Sequence, residues 1–106
     1  MEGKTSILVV DDEVNIRRSL RSVLEGEGFG VLDAESAERA LEVLAAEPVD
    51  LAIFDIRLPG MDGLALLDRA RALWRDLPVI VISGHAETAE AVDAMRRGRR
   101  ATGRAA

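Results

Sequence analysis

Three short apolar runs, each followed by a polar side chain, constrain the fold of this chain most strongly. The clearest is Leu51–Asp55, in which four apolar residues precede one carboxylate. It lies between Pro48 and the Pro59-Gly60 pair, and a run of this length between turn signals predicts a strand buried on both faces. In open parallel sheets, ligands bind beyond the carboxyl ends of the strands. Asp55 is therefore expected to lie at a ligand-binding site.

Two further runs repeat this arrangement. Ser6–Val10 is followed by Asp11 and Asp12, and Val79–Ile82 is followed by Ser83. Acids after a strand are also typical of a helix N-terminus, where the helix dipole favours negative charge, and a serine there is typical of a turn. Because all three strand ends share the feature, we expect three carboxylates and one hydroxyl to meet at one edge of a sheet.

The segments between the predicted strands have the period of amphipathic helices. The first helix begins near Glu13 and is ended by Gly26 and Gly28. A weak strand follows at Gly30–Ala34, and Ser36 is the predicted N-cap of the second helix.

A third helix is predicted over residues 64–74 and a fourth over residues 87–97. Strands and helices thus alternate as βαβαβαβα, which predicts a parallel sheet with helices on both faces. The apolar faces predicted for the first three helices are Ile16, Leu20, Val23 and Leu24; then Ala37, Ala40, Leu41, Leu44 and Ala45; then Leu66, Ala70, Leu73 and Trp74.

Composition narrows the class of protein. With 106 residues, 48% of them hydrophobic and 31% charged, the chain is expected to form one globular domain. The absence of cysteine excludes disulfides and thiolate metal sites. No long apolar run follows Met1, so we expect neither a secretory signal nor a membrane span, and a cytoplasmic location.

Charge is distributed unevenly along the chain. Residues 1–95 hold 9 basic and 19 acidic side chains, whereas residues 96–106 hold five arginines and no acid. The acidic body argues against specific nucleic-acid binding, and arginines without aromatic neighbours give only nonspecific attraction. Residues 99–106 have no strand or helix period and are predicted to form a flexible basic tail.

The predicted convergence of Asp11, Asp12 and Asp55 has a chemical consequence. Three like charges this close stay ionised only if a cation neutralises them. Oxygen ligands without histidine or cysteine favour Mg²⁺ over zinc or iron. A carboxylate beside such a cation can attack phosphorus and form an aspartyl phosphate, to which the Ser83 hydroxyl could donate a hydrogen bond.

Three segments, residues 7–13, 55–63 and 79–86, resemble the signature motifs of response-regulator receiver domains, which have a CheY-like, flavodoxin-like fold. The resemblance runs from about residue 5 to residue 98. Residues 83–86 and 94–98 are most similar to receivers of NtrC-type activators. The resemblance implies a signalling module of a two-component system rather than an enzyme with a separate substrate.

The same resemblance implies roles for individual residues. Asp55 would accept a phosphoryl group from a sensor histidine kinase. Asp12 would bind Mg²⁺ directly and Asp11 mainly through water, with Asp55 and the backbone carbonyl of Arg57 as further ligands. The remaining implied roles are Ser83 holding a phosphoryl oxygen, and the side chains of Arg57 and His85 tuning dephosphorylation. For His85, a solvent-facing loop position is the alternative.

The chain departs from the family after Gly98. Family members continue with a fifth strand, a Lys-Pro pair and a final helix; here the lysine position falls on Ala105, and no residue replaces it. We therefore expect an incomplete receiver over residues 1–98, with four βα units instead of five. The edge of the fourth strand would be unpaired and the apolar face of the first helix partly uncovered, which predicts a homodimer or oligomer through one of them.

Two other functions stay open at this point. One is a receiver-derived dimerisation or adaptor module that no longer switches, or a truncated fragment of a receiver. The other is an aspartyl-phosphate phosphatase of the haloacid-dehalogenase type. That class needs a second aspartate two residues after the nucleophile, where this chain has Arg57, so the phosphatase is disfavoured.

Overall fold

The computed structural model describes residues 4–58 and 60–82. The four strands have the predicted bounds, and the described helices begin and end within about one residue of the predicted positions. The predicted fourth helix, the basic tail, Ser83 and His85 lie outside the described residues. The elements are β1 (Ser6–Val10), α1 (Val14–Gly26), β2 (Gly30–Ala34), α2 (Ala37–Ala46), β3 (Leu51–Asp55), α3 (Gly63–Leu73) and β4 (Val79–Ile82).

The strands form one parallel sheet in the order β2-β1-β3-β4. In its register, Val10 pairs with Phe54 across the β1–β3 boundary, and Asp55 pairs with Ile82 across the β3–β4 boundary. The residue after Val10 is therefore carried alongside Asp55. Sheet pairing alone thus brings the acids after β1 next to the acid that ends β3.

Alternate strand residues face two separate apolar clusters, as expected for strands covered on both sides. Leu8, Val10 and Phe54 lie in the larger cluster with α2 and α3. Ile7 and Val9 lie in the smaller cluster with α1. The predicted parallel sheet with helices on both faces is confirmed.

The apolar face of α1, predicted to be partly uncovered, is covered over most of its length. Leu20 and Leu24 are 1% exposed and Val23 is 8% exposed, whereas Ile16 is half-buried. Leu20 and Leu24 are buried because they pack against alternate residues of β1, β3 and β4 in the smaller cluster. Of the predicted face, only Ile16 is partly exposed, so α1 offers little open surface for the predicted dimer.

Two predicted helix faces are rotated relative to the observed ones. In α2, Val43 is buried and Ala45 is exposed; in α3, Leu67 is buried and Leu73 is 64% exposed. Residues one position apart lie about 100° apart around a helix, so a small rotation of the face exchanges which residues it includes. Leu73 is also the last residue of α3.

Local signals at the helix ends agree with the structure. The Ser36 hydroxyl accepts a hydrogen bond from the backbone N–H of Arg39 at 3.1 Å, which confirms the predicted N-cap of α2. Gly28, just beyond α1, has a φ of +96°, a conformation that glycine adopts without strain. Within residues 4–58 and 60–82, none of the helices has the length and hydropathy needed to cross a membrane.

Candidate metal centre

Three carboxylates lie together at the carboxyl edge of the sheet. Asp11 and Asp12 follow β1, and Asp55 is the last residue of β3; one carboxylate oxygen from each lies within 4.8 Å of the others. Asp11 is 4% exposed and Asp55 is 8% exposed, whereas Asp12 is exposed. The structure thus brings together the three acids that the sequence placed at this edge.

Hydrogen bonds fix Asp11 at three points. Its backbone N–H donates to the carbonyl oxygen of Ala34 at 3.1 Å, which continues the β1–β2 pairing by one residue. Its Oδ1 accepts a hydrogen bond from the backbone N–H of Glu13 at 2.9 Å. Its carbonyl oxygen accepts one from Arg17 Nη1 at 2.6 Å. Asp11 is therefore held in place by β2, by the following turn and by α1.

The loop after β3 folds back tightly on Asp55. Asp55 Oδ1 accepts a hydrogen bond from the backbone N–H of Arg57 at 3.1 Å. The N–H of Gly63, the first residue of α3, donates to the carbonyl oxygen of Ile56 at 3.0 Å. A Cβ at Gly63 would lie 2.6 Å from Ile56 Cα and would overlap the Asp55 carbonyl oxygen. Glycine is therefore required for α3 to begin this close to the strand end.

Burial and mutual repulsion favour protonation of two of these acids. Burial, opposed by the Glu13 N–H and reinforced by the charges of Asp55 and Asp12, raises the pKa of Asp11 from 3.8 to about 6. Burial likewise raises the pKa of Asp55; the Arg57 N–H opposes this shift and the charge of Asp12 adds to it. Without a cation, the cluster therefore carries an unfavourable concentration of negative charge.

The donor set fits a hard divalent cation. All three side chains offer carboxylate oxygens, the ligands that Mg²⁺ and Ca²⁺ prefer, and neither histidine nor cysteine is among them. Among the residues that the structure describes, this is the one group of three such side chains close enough to share an ion.

Two residues that hold this site were not among the sequence-based candidates. Arg17 lies outside the apolar face predicted for the first helix, yet its guanidinium reaches the carbonyl of Asp11. Gly63 follows Asp62 in a pair that is typical of a turn, yet its essential property is the close packing that it allows. The exposed side chain of Arg57 follows Asp55 in the loop, and its N–H is the group that contacts the carboxylate.

Comparison with known proteins agrees with this architecture. Residues 7–102 match the family described as the response regulator receiver domain. The C4-dicarboxylate transport transcriptional regulatory protein DctD of Rhizobium meliloti is 41% identical over 98 residues, which are 92% of this chain and 21% of DctD. The DNA-binding transcriptional regulator NtrC of Escherichia coli is 40% identical over 92 residues, 87% of this chain and 20% of NtrC. The chain thus spans about a fifth of the length of these relatives.

A solved structure extends the similarity to three dimensions. The response regulator protein TrrA from Thermotoga maritima, crystallised in complex with Mg²⁺-BeF, superposes with a TM-score of 0.74 at 34% identity. The match covers 86% of this chain and 80% of that one. The resemblance suggested by the three sequence motifs is confirmed, and the chain belongs to the family of response regulator receiver domains.

Proposed function

We propose that Asp55 accepts a phosphoryl group from a sensor histidine kinase in a Mg²⁺-dependent reaction, and that this chain thereby receives the signal in a two-component system. The observation that carries the proposal is the setting of Asp55: a buried carboxylate at a strand end, within 4.8 Å of two further carboxylates. Family membership supports the same role.

Each group at the site has a defined part in this reaction. When bound, Mg²⁺ would neutralise the carboxylates and the equatorial oxygens of the phosphoryl group. Asp11, Asp12 and Asp55 would hold the ion together with the backbone carbonyl of Arg57. The Arg57 N–H fixes Asp55 Oδ1, whereas Oδ2 accepts no hydrogen bond from the described residues and is the oxygen that would attack phosphorus.

Further roles rest on positions in the family motifs. Ser83 would hold a phosphoryl oxygen, and the side chains of Arg57 and His85 would tune dephosphorylation. The domain would accept and lose its own phosphoryl group without acting on a separate substrate. The neighbour TrrA, solved with Mg²⁺-BeF, supports the metal requirement by analogy.

Phosphorylation of the purified chain tests the proposal directly. The protein is incubated with Mg²⁺ and acetyl phosphate, and its intact mass is measured. We expect the parent to gain one phosphoryl group and Asp55→Asn to gain none. Asp50→Asn is the matched control, because it removes the same charge at the other end of β3 and should leave phosphorylation unchanged. An unmodified parent that still binds Mg²⁺, or equal modification of Asp55→Asn, would contradict the proposal.

An unmodified parent would instead favour the adaptor or dimerisation module. Within the described part of the chain, β4 is hydrogen-bonded to β3 alone. The other edge of β4 is therefore the surface through which we expect the predicted dimer to form. Light scattering over a range of concentrations would test it. A monomer mass that does not change with concentration would count against the dimer.

A further inference from the structure

The turn that carries Asp11 and Asp12 is held from its outer side by one arginine. Arg17, in the first turns of α1, donates from Nη1 to the Asp11 carbonyl oxygen at 2.6 Å. Its Nε lies 3.6 Å from Asp33 Oδ2, and its side chain is only 16% exposed. Arg17 therefore links the acidic turn, α1 and β2 through a single guanidinium.

Asp33 is itself fixed by a second arginine. Arg21 Nη2 lies 3.5 Å from Asp33 Oδ1, and Arg21 Nη1 donates to the carbonyl oxygen of Val31 at 3.1 Å. Ion pairs at partly exposed positions contribute little stability on their own. Their effect here is geometric, because Asp33 receives both arginines and so sets the direction in which Arg17 points.

Arg17 contacts a backbone carbonyl rather than a carboxylate of the cluster. The three acids therefore keep their oxygens for a ligand, while Arg17 restrains the peptide that carries two of them. Truncating this side chain would leave Asp11 held by Ala34 and by the Glu13 N–H alone. The carboxylates could then separate under their own repulsion.

We propose that Arg17 is a positioning residue for the metal site, which holds the Asp11–Asp12 turn in its ion-binding arrangement, with Asp33 orienting the guanidinium. This inference rests on the Mg²⁺ site of the proposed function. Loss of a group that orients a metal ligand typically weakens metal affinity by about 10- to 100-fold.

Calorimetric titration with Mg²⁺ alone tests this role. We expect Arg17→Ala to bind Mg²⁺ at least about tenfold more weakly than the parent. Arg17→Lys should fall between them, because one ammonium can reach the Asp11 carbonyl but cannot replace the planar, two-sided contact. Asp33→Ala alone should weaken Mg²⁺ binding. Combined with Arg17→Ala it should have little further effect, since Asp33 acts through Arg17.

Two controls separate positioning from loss of charge or stability. Arg18→Ala removes the same charge from an exposed position of the same helix. Ser36→Ala weakens the fold through the cap of α2 without touching the acidic turn. Both should bind Mg²⁺ like the parent, within about twofold.

The outcomes distinguish two failures. A parent that binds no Mg²⁺ would overturn the metal site of the proposed function. A parent that binds, with Arg17→Ala within about twofold of it or no weaker than Ser36→Ala, would overturn the role of Arg17 alone. If Arg17→Ala does not fold, Arg17→Lys decides, and parent-like affinity in that variant overturns the role.

Discussion

The two ends of β3 carry the same side chain in opposite settings. Asp50, just before the strand, is exposed; its Oδ2 accepts from the Ser6 N–H, and its own N–H donates to the Ser6 carbonyl, both at 2.8 Å. Asp55, at the other end, is 8% exposed and faces two further carboxylates. One acid joins strands at the surface, whereas the other is crowded and poorly solvated.

This difference shows what makes a carboxylate at a strand end functional. An ionised carboxylate in water that accepts a backbone N–H costs the fold little. A buried carboxylate beside like charges destabilises the fold until a proton or a cation neutralises it. The carboxyl edge of the sheet therefore gives up stability for ligand binding, and the amino edge does not.

Substitution of Gly63 should have the largest effect on the carboxyl edge. In Gly63→Ala, the new Cβ would lie 2.6 Å from Ile56 Cα and overlap the Asp55 carbonyl oxygen. Because those atoms are backbone, α3 or the end of β3 must move. We expect the free energy of unfolding in urea to fall by about 3 kcal/mol, with weaker Mg²⁺ binding in the folded fraction.

Gly26→Ala is the control for that substitution. Gly26 is the last residue of α1, and a Cβ there meets no atom within 4 Å. Alanine also favours helix over glycine, so stability should be unchanged or slightly higher. An equal loss of stability in both variants would show that the close contact of Gly63 with the end of β3 is not the cause of the loss.

The sequence predicted the strands well for a simple physical reason. A strand such as Leu51–Asp55 is a short apolar run between turn residues, and its bounds follow from those local signals. An apolar run does not indicate which other strand it pairs with. The contact between Asp11 and Asp55 depends on β1 lying beside β3, and the residue pattern predicts a shared sheet edge without specifying that neighbour relation.

Features that depend on tertiary packing were predicted less well. Helix periodicity located α2 and α3, but their observed faces are rotated, so that Ala45 and Leu73 are exposed. Neither the reach of Arg17 to the Asp11 carbonyl nor the close approach at Gly63 has a local sequence signal. Both arise where one element meets another.

Removal of the buried charge of Asp11 should raise stability in the absence of metal. The folded-state pKa of Asp11 is raised from 3.8 to about 6, so stability is highest below pH 3.8 and is lost as the pH rises through 6. A shift of this size corresponds to at most about 3 kcal/mol, and solvent near exposed Asp12 reduces it. With EDTA at about pH 7.5, we expect the free energy of unfolding of Asp11→Asn to exceed that of the parent by about 1–2 kcal/mol.

The pH dependence checks the cause of that gain. An asparagine Oδ1 still accepts the Glu13 N–H, so the substitution removes chiefly the charge. The advantage over the parent in urea unfolding should shrink as the pH falls and disappear below about pH 4, where the parent carboxyl is protonated in both states. An advantage of constant size from pH 4 to 8 would point to better packing instead of the removal of a buried, repelled charge.

Asp50→Asn should have the smallest effect and tests the comparison most sharply. It changes the net charge by the same amount as Asp11→Asn, at an exposed site where the amide oxygen can still accept the Ser6 N–H. We expect the free energy of unfolding at about pH 7.5 to fall by less than about 0.5 kcal/mol, with Mg²⁺ affinity unchanged. If Asp50→Asn stabilised the metal-free protein as much as Asp11→Asn, the overall charge of −5 would be the cause, and the two ends of β3 would not differ in the way their burial indicates.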